Sequence, residues 1–109
     1  MAAKLPEPIA AYLEAANSQD IEAVAACFGD DSVVRDEGRE RRGIDAIREW
    51  AEEVSQKYQP TTQVIDSVED TGRTVVTARV SGGFPGSPVD LRYAFTLDGP
   101  KIARLEISP

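Results

Sequence analysis

Carboxylates and phenols are the side chains here that can move protons, because histidine is absent and cysteine occurs once, as Cys27. Histidine is the commonest general base near neutral pH and the commonest metal ligand. Its absence argues against a zinc centre and against any Ser-His-Asp or Cys-His unit. No metal and no cofactor is expected. What remains is carboxylate and phenol, which suffice for one reaction class among others. Removing a proton beside a carbonyl needs a base above the carbon and one or two donors where the oxyanion forms. An aspartate, with a pKa of ~3.9 in water, is a weak base, but complete burial in an apolar pocket can raise it by ~3–5 units. Asp36, with Val33, Val34, Trp50 and Phe95 as candidate neighbours, is one carboxylate that could sit in such a pocket.

These groups depend on the elements that carry them. Tyr12 falls on a first helix, where Ile9, Tyr12, Leu13 and Ala16 form one stripe at i, i+3, i+4 and i+7. Pro6 and Pro8 suit its first turn. Asn17-Ser18-Gln19-Asp20 breaks the helix, and Asp20 is a good N-cap for a second one. The second helix repeats the spacing with Ile21, Val24, Ala25 and Phe28, and Gly29-Asp30-Asp31 ends it. A short strand from Ser32 to Asp36 and a charged turn from Glu37 to Arg42 follow. Ile44, Ile47, Trp50, Ala51, Val54 and Tyr58 then trace the longest amphipathic helix, which Pro60 stops. Strands are expected at about Thr61–Glu69, Arg73–Ser81, Pro88–Leu97 and Lys101–Ile107, with turns at Asp70-Thr71-Gly72 and Asp98-Gly99-Pro100. Val89, Leu91, Tyr93, Phe95 and Leu97 give the cleanest alternation, so Tyr93 points inward.

Helices followed by an antiparallel meander make an α+β arrangement. A long sheet covered on one face by three helices must curve around them into a cone with a cavity at its open end. Gly82-Gly83 and Pro85-Gly86 allow bends, and Phe84 then sits in a loop over or beside the pocket. The chain of 109 residues fits one domain spanning residues 1–109. A net charge of −7 repels phosphate backbones, so nucleic acid is not an expected partner. No apolar run approaches the roughly 18 residues of a membrane span. The start Met-Ala-Ala-Lys-Leu-Pro lacks a signal-peptide core, and a lone Cys27 suits a reducing compartment, so a cytoplasmic location is expected. Cys27 itself reads as buried filler.

Tyr12-Leu-Glu-Ala-Ala-Asn17-Ser-Gln-Asp20, Phe28-Gly-Asp-Asp31, Val34-Arg-Asp36 and Gly43-x-x-Ala46-Ile47 resemble the N-terminal pattern of NTF2-like, SnoaL-like proteins. Tyr93-Ala-Phe95-Thr-Leu-Asp-Gly-Pro-Lys101-Ile-Ala-Arg-Leu-Glu-Ile107 is similar to their last hairpin. The resemblance implies a cystatin-like cone of curved antiparallel sheet on three N-terminal helices. It also implies a homodimer formed through the sheet, with Arg79, Arg92 and Arg104 on the polar face. The scaffold hosts isomerases, cyclases, dehydratases, epoxide hydrolases and non-catalytic binding modules, so fold alone names no activity. A local resemblance to Δ5-3-ketosteroid isomerases implies Asp36 as the base and Tyr12 as a donor to the substrate oxygen. The aspartate that completes that family's oxyanion hole falls opposite Tyr93. This is a departure, though a phenol can also donate.

Each candidate has a plainer reading. Tyr12 and Tyr93 could be core aromatics, and Asp36 could cap the turn at Glu37-Gly38. Val33 and Val34 are both apolar, so alternation leaves the inward face of that strand open. Phe28, Val34, Trp50, Tyr58, Phe84 and Phe95 are the candidate substrate contacts, or core. The charged run from Arg35 to Arg42 reads as a solvated turn, or as Arg39, Arg41 or Arg42 at the pocket mouth drawing in an anion. Two functions follow: a cofactor-free isomerase or related proton-transfer enzyme on a small hydrophobic molecule, ketosteroid- or polyketide-like, or a module that binds such a ligand or dimerises without catalysis.

Overall fold

A computed structural model describes residues 5–109. Helix α1 (Glu7–Asn17) buries Ile9, Tyr12 and Leu13, as the stripe requires. Asp20 caps α2 (Ile21–Ala26), its Oδ1 accepting from the Ala23 N–H at 3.1 Å. The second helix is shorter than its spacing predicts. Phe28 opens strand β1 (Phe28–Asp36) instead, because the Cys27 carbonyl accepts from the Ile102 N–H at 2.8 Å and Phe28 pairs with Ile102. A long-range ladder overrides the local helical period.

The charged run also differs from expectation. Only Glu37-Gly38 turns, both at positive φ as a primed hairpin turn needs. Strand β2 (Arg39–Arg42) then pairs antiparallel with β1. Its four charged residues suit an edge strand, which must resist pairing with other chains. Helix α3 (Ile44–Tyr58) and strands β3 (Thr61–Asp70), β4 (Arg73–Ser81), β5 (Val89–Asp98) and β6 (Lys101–Ser108) follow as expected.

The six strands form one curved, unclosed sheet in the order β2-β1-β6-β5-β4-β3, packed on the three helices. Every neighbouring pair is antiparallel except β1 and β6, which run parallel. That parallel pair fixes what alternation leaves open. Val34 sits opposite Leu105, both fully buried under the helices, so Asp36 two residues on takes the same inward face. Val33 turns to the outer face, between Arg42 and Arg104.

The ladder between β1 and β6 is interrupted between Phe28 and Val33. Ser32 repairs the gap. Its buried hydroxyl donates to the Ile102 carbonyl at 2.6 Å and accepts from the Gly29 N–H at 2.8 Å. Ser32→Ala leaves both backbone groups without that partner, so it is expected to cost about 1–3 kcal/mol. Urea unfolding checks this as a lower midpoint at unchanged slope; an unchanged midpoint contradicts it.

Candidate active site

Between the inner faces of α1 and α3 and the concave side of the sheet lies a mostly apolar cavity of about 250 Å3. Tyr12 reaches it from α1, Trp50 and Tyr58 from α3, Asp36 from the end of β1, Tyr93 from β5 and Phe84 from the loop before β5. Three of the candidate contacts do not line it. Phe28, Val34 and Phe95 are 0–1% exposed and stand behind the wall.

Those residues aim the ones in front. The Tyr12 ring meets Phe28 edge-on at 5.9 Å and Phe95 at 5.7 Å, while Tyr93 stacks on Phe95 at 6.2 Å and 14°. Phe95 is therefore the surface against which both phenols are set. Such pairs contribute about 0.5–1.5 kcal/mol each beyond area burial, enough to favour one orientation. Asp36 is held from the other side, where the Trp50 indole Nε1–H donates to its Oδ2 at 3.1 Å.

Burial pushes the Asp36 carboxyl above its ordinary value, against the opposing pull of the Trp50 hydrogen bond; Glu37's charge adds to the rise, and its backbone N–H and Arg41 oppose it. Burial likewise pushes Tyr93 up to about 12 and Tyr12 well above 10.0, with the charges of Tyr93 and then Asp36 adding to Tyr12. Both phenols thus keep their protons at neutral pH and can donate them in hydrogen bonds. Among the described residues, no three Cys, Asp or Glu side chains gather as metal ligands would, and no helix is long and apolar enough to cross a membrane.

The polar rim is the part that sequence patterning does not anticipate. Asn17, read as a helix breaker, pairs with the backbone of edge strand β3: its Nδ2 donates to the Thr62 carbonyl at 2.9 Å and its Oδ1 accepts from the Thr62 N–H at 2.7 Å. Gln19 donates to the Pro60 carbonyl at 3.1 Å and accepts from the Ser55 hydroxyl. Both tie the α1–α2 junction across the cavity. At Gly82 a Cβ would come within 2.8 Å of the Tyr58 carbonyl, so only glycine lets the loop bring Phe84 edge-on to Tyr58 at 5.6 Å.

A family model described as the SnoaL-like domain matches residues 9–105. Among solved structures, a candidate polyketide cyclase from Sinorhizobium meliloti is 38% identical, with a TM-score of 0.91 over 95% of each chain. An epoxide hydrolase/cyclase-like enzyme, SalBIII, of pyran ring formation in the polyether salinomycin superposes with a TM-score of 0.82 at 18% identity, over 94% of this chain and 87% of that one. A protein of ketosteroid isomerase-like fold from Catenulispora acidiphila, in complex with trimethylamine, gives 0.85 at 16% identity, over 97% and 87%. The last two show the shared fold. No curated protein matches the chain.

The raised carboxyl carries a consequence for stability. Folding favours the protonated form of Asp36, so its contribution is full below the ordinary value of 3.8 and is lost as pH rises through the folded-state pKa. At pH 7 the ionised, partly buried group is a burden. Asp36→Asn, which keeps an acceptor for Trp50, is expected to melt higher than the parent at pH 7. Its advantage shrinks as pH falls toward 3.8. Thermal unfolding across pH measures this, and an Asp36→Asn chain that is less stable at every pH contradicts it.

Proposed function

The chain belongs to the SnoaL-like domain family, and on that premise we propose that its cavity is a cofactor-free proton-transfer site. Asp36 takes a proton from a carbon beside a carbonyl, and Tyr12 and Tyr93 donate hydrogen bonds to the enolate oxygen. In an isomerisation the proton returns from Asp36 to another carbon of the same enolate. In a ring closure the enolate carbon instead attacks a second carbonyl of the molecule, and the proton ends on the new alkoxide. Neither course needs an electron acceptor.

The observation that carries this reading is the Asp36 carboxylate bonded to Trp50 on the wall of an apolar cavity that also receives both phenols. The SnoaL-like match and the cyclase relative fit a family of NTF2-like isomerases and cyclases. For substrate, the polyketide-like class is favoured over the ketosteroid-like one. A void of about 250 Å3 exceeds the ~150 Å3 that holds one benzene ring, so a body of one or two fused rings fills it. A tetracyclic steroid would project through the mouth.

A non-catalytic binding module is the second reading, supported by the apolar cavity itself, which would hold such a ligand without any base. Dimerisation is proposed through the outer sheet face, where Ile65 and Val68 stand 50% and 53% exposed.

The test is exchange of α-protons for deuterium in heavy water, followed by NMR on a two-ring ketone such as 2-tetralone and, beside it, a 5-ene-3-ketosteroid. Exchange is expected with the two-ring ketone, lowered about 10²–10⁴-fold by Asp36→Asn and about 10²-fold by Tyr12→Phe. Binding without exchange leaves the module reading standing, and exchange indifferent to Asp36 removes the proposal.

A further inference from the structure

A polar chamber adjoins the apolar cavity at its mouth. It is a space of about 250 Å3 that shares Asp36, Glu37, Trp50, Val54 and Tyr58 with the inner one, so the two adjoin. Arg39 and Arg41 alternate along β2 and sit opposite Asp36 and Val34, which gives them the same inward face. Glu53 and Lys57 lie one turn apart on α3, on the stripe that carries Trp50. The hairpin and the helix thus form two walls of one charged vestibule.

Three carboxylates, Asp36, Glu37 and Glu53, meet three cations, Arg39, Arg41 and Lys57, so its formal charges sum to zero, but they are not evenly paired. Arg41, with a side chain only 14% exposed, is committed to Glu53 at 3.0 Å. That bond chiefly, and then the charges of Arg41, Arg39 and Lys57, hold the Glu53 carboxyl below its ordinary range. Asp36 is engaged by Trp50. Arg42 faces outward with Glu40 at 3.8 Å. Arg39 and Lys57 then have no ion-pair partner among the described residues. Glu37 is the remaining carboxylate on the chamber. The Lys57 ammonium lies 5.1 Å from the centroid of the Tyr58 ring, and that ring lines both spaces.

On a chain of net charge −7, two unpaired cations gathered at the entrance of an apolar cavity run against the general field. They have a use if what enters is itself an anion, since Asp36 and Glu37 would otherwise repel it. We propose that the ligand of this cavity is an amphipathic carboxylic acid. Its ring-sized apolar body occupies the inner cavity, and Arg39 and Lys57 receive its carboxylate in the vestibule. The proposal rests on the inner cavity being a ligand site, as above, but on no turnover there.

Isothermal titration calorimetry reports binding in either space. The probes are 2-naphthylacetate and its neutral isostere 2-naphthylacetamide. The acid is expected to bind about tenfold more tightly at low salt, as two partly exposed ion pairs allow. The preference shrinks as salt rises. It disappears in the Arg39→Gln, Lys57→Gln double variant, whose affinity for the amide stays as in the parent, with circular dichroism confirming the fold. Equal or weaker binding of the acid, a preference that survives the double substitution, or binding of neither probe overturns the proposal. Acid preference with no α-proton exchange removes the proton-transfer reading alone and leaves this one in place.

Discussion

One hydrogen bond inside an apolar cavity, from the Trp50 indole to the Asp36 carboxylate, joins the longest helix to the end of the first strand and holds a charge where charge is costly. Asp36 ends β1 beside a tight turn, a position from which a carboxylate readily reaches water. A hydrogen bond to a charged group contributes about 1.5–3 kcal/mol, and here it sets that against desolvation. The balance leaves the carboxyl above its ordinary value without abolishing its ionisation as an available state. A weaker tether would let the group turn outward. Several stronger ones would stabilise the carboxylate so far that the carboxyl would no longer stand above its ordinary value.

The rest of the fold serves that arrangement in layers. Phe28, Val34 and Phe95 do not line the cavity, yet they fix the rings and the strand that do. The parallel pairing of β1 with β6, patched by Ser32, decides that Asp36 faces in. Asn17 and Gln19 close the rim: Asn17 bonds the free edge of β3 at Thr62, and Gln19 bonds the Pro60 carbonyl between α3 and β3 and the Ser55 hydroxyl.

Much of this was legible in the residues. The α1 and α3 stripes and the β5 alternation locate Tyr12, Trp50 and Tyr93 correctly, because helical and strand periods are local properties of the chain. The misses have long-range causes. Phe28 continues the helical spacing of α2 but is claimed by Ile102, far along the chain. Arg39–Arg42 contains no apolar residue, so a strand there has no period to read, and only its partner β1 reveals it. Val33 and Val34 are both apolar, which hides the face of Asp36 until β6 is in register. Phe95 and Phe28 look like pocket lining by type, yet burial against the tyrosines puts them one layer back. Side chains such as Asn17 and Gln19 are invisible to patterning, since their partners lie 45 and 41 residues away.

Asp36 ionises beside the lone tryptophan, and that tryptophan gives a single indole N–H resonance to watch. Following the Trp50 indole proton and nitrogen shifts by NMR from acid to neutral pH reads the carboxylate directly. One titration step is expected, with its midpoint above 3.8, and it is lost in Asp36→Asn. An indole resonance that ignores pH, or that titrates at or below 3.8, would mean that the carboxylate is solvated rather than held in the cavity.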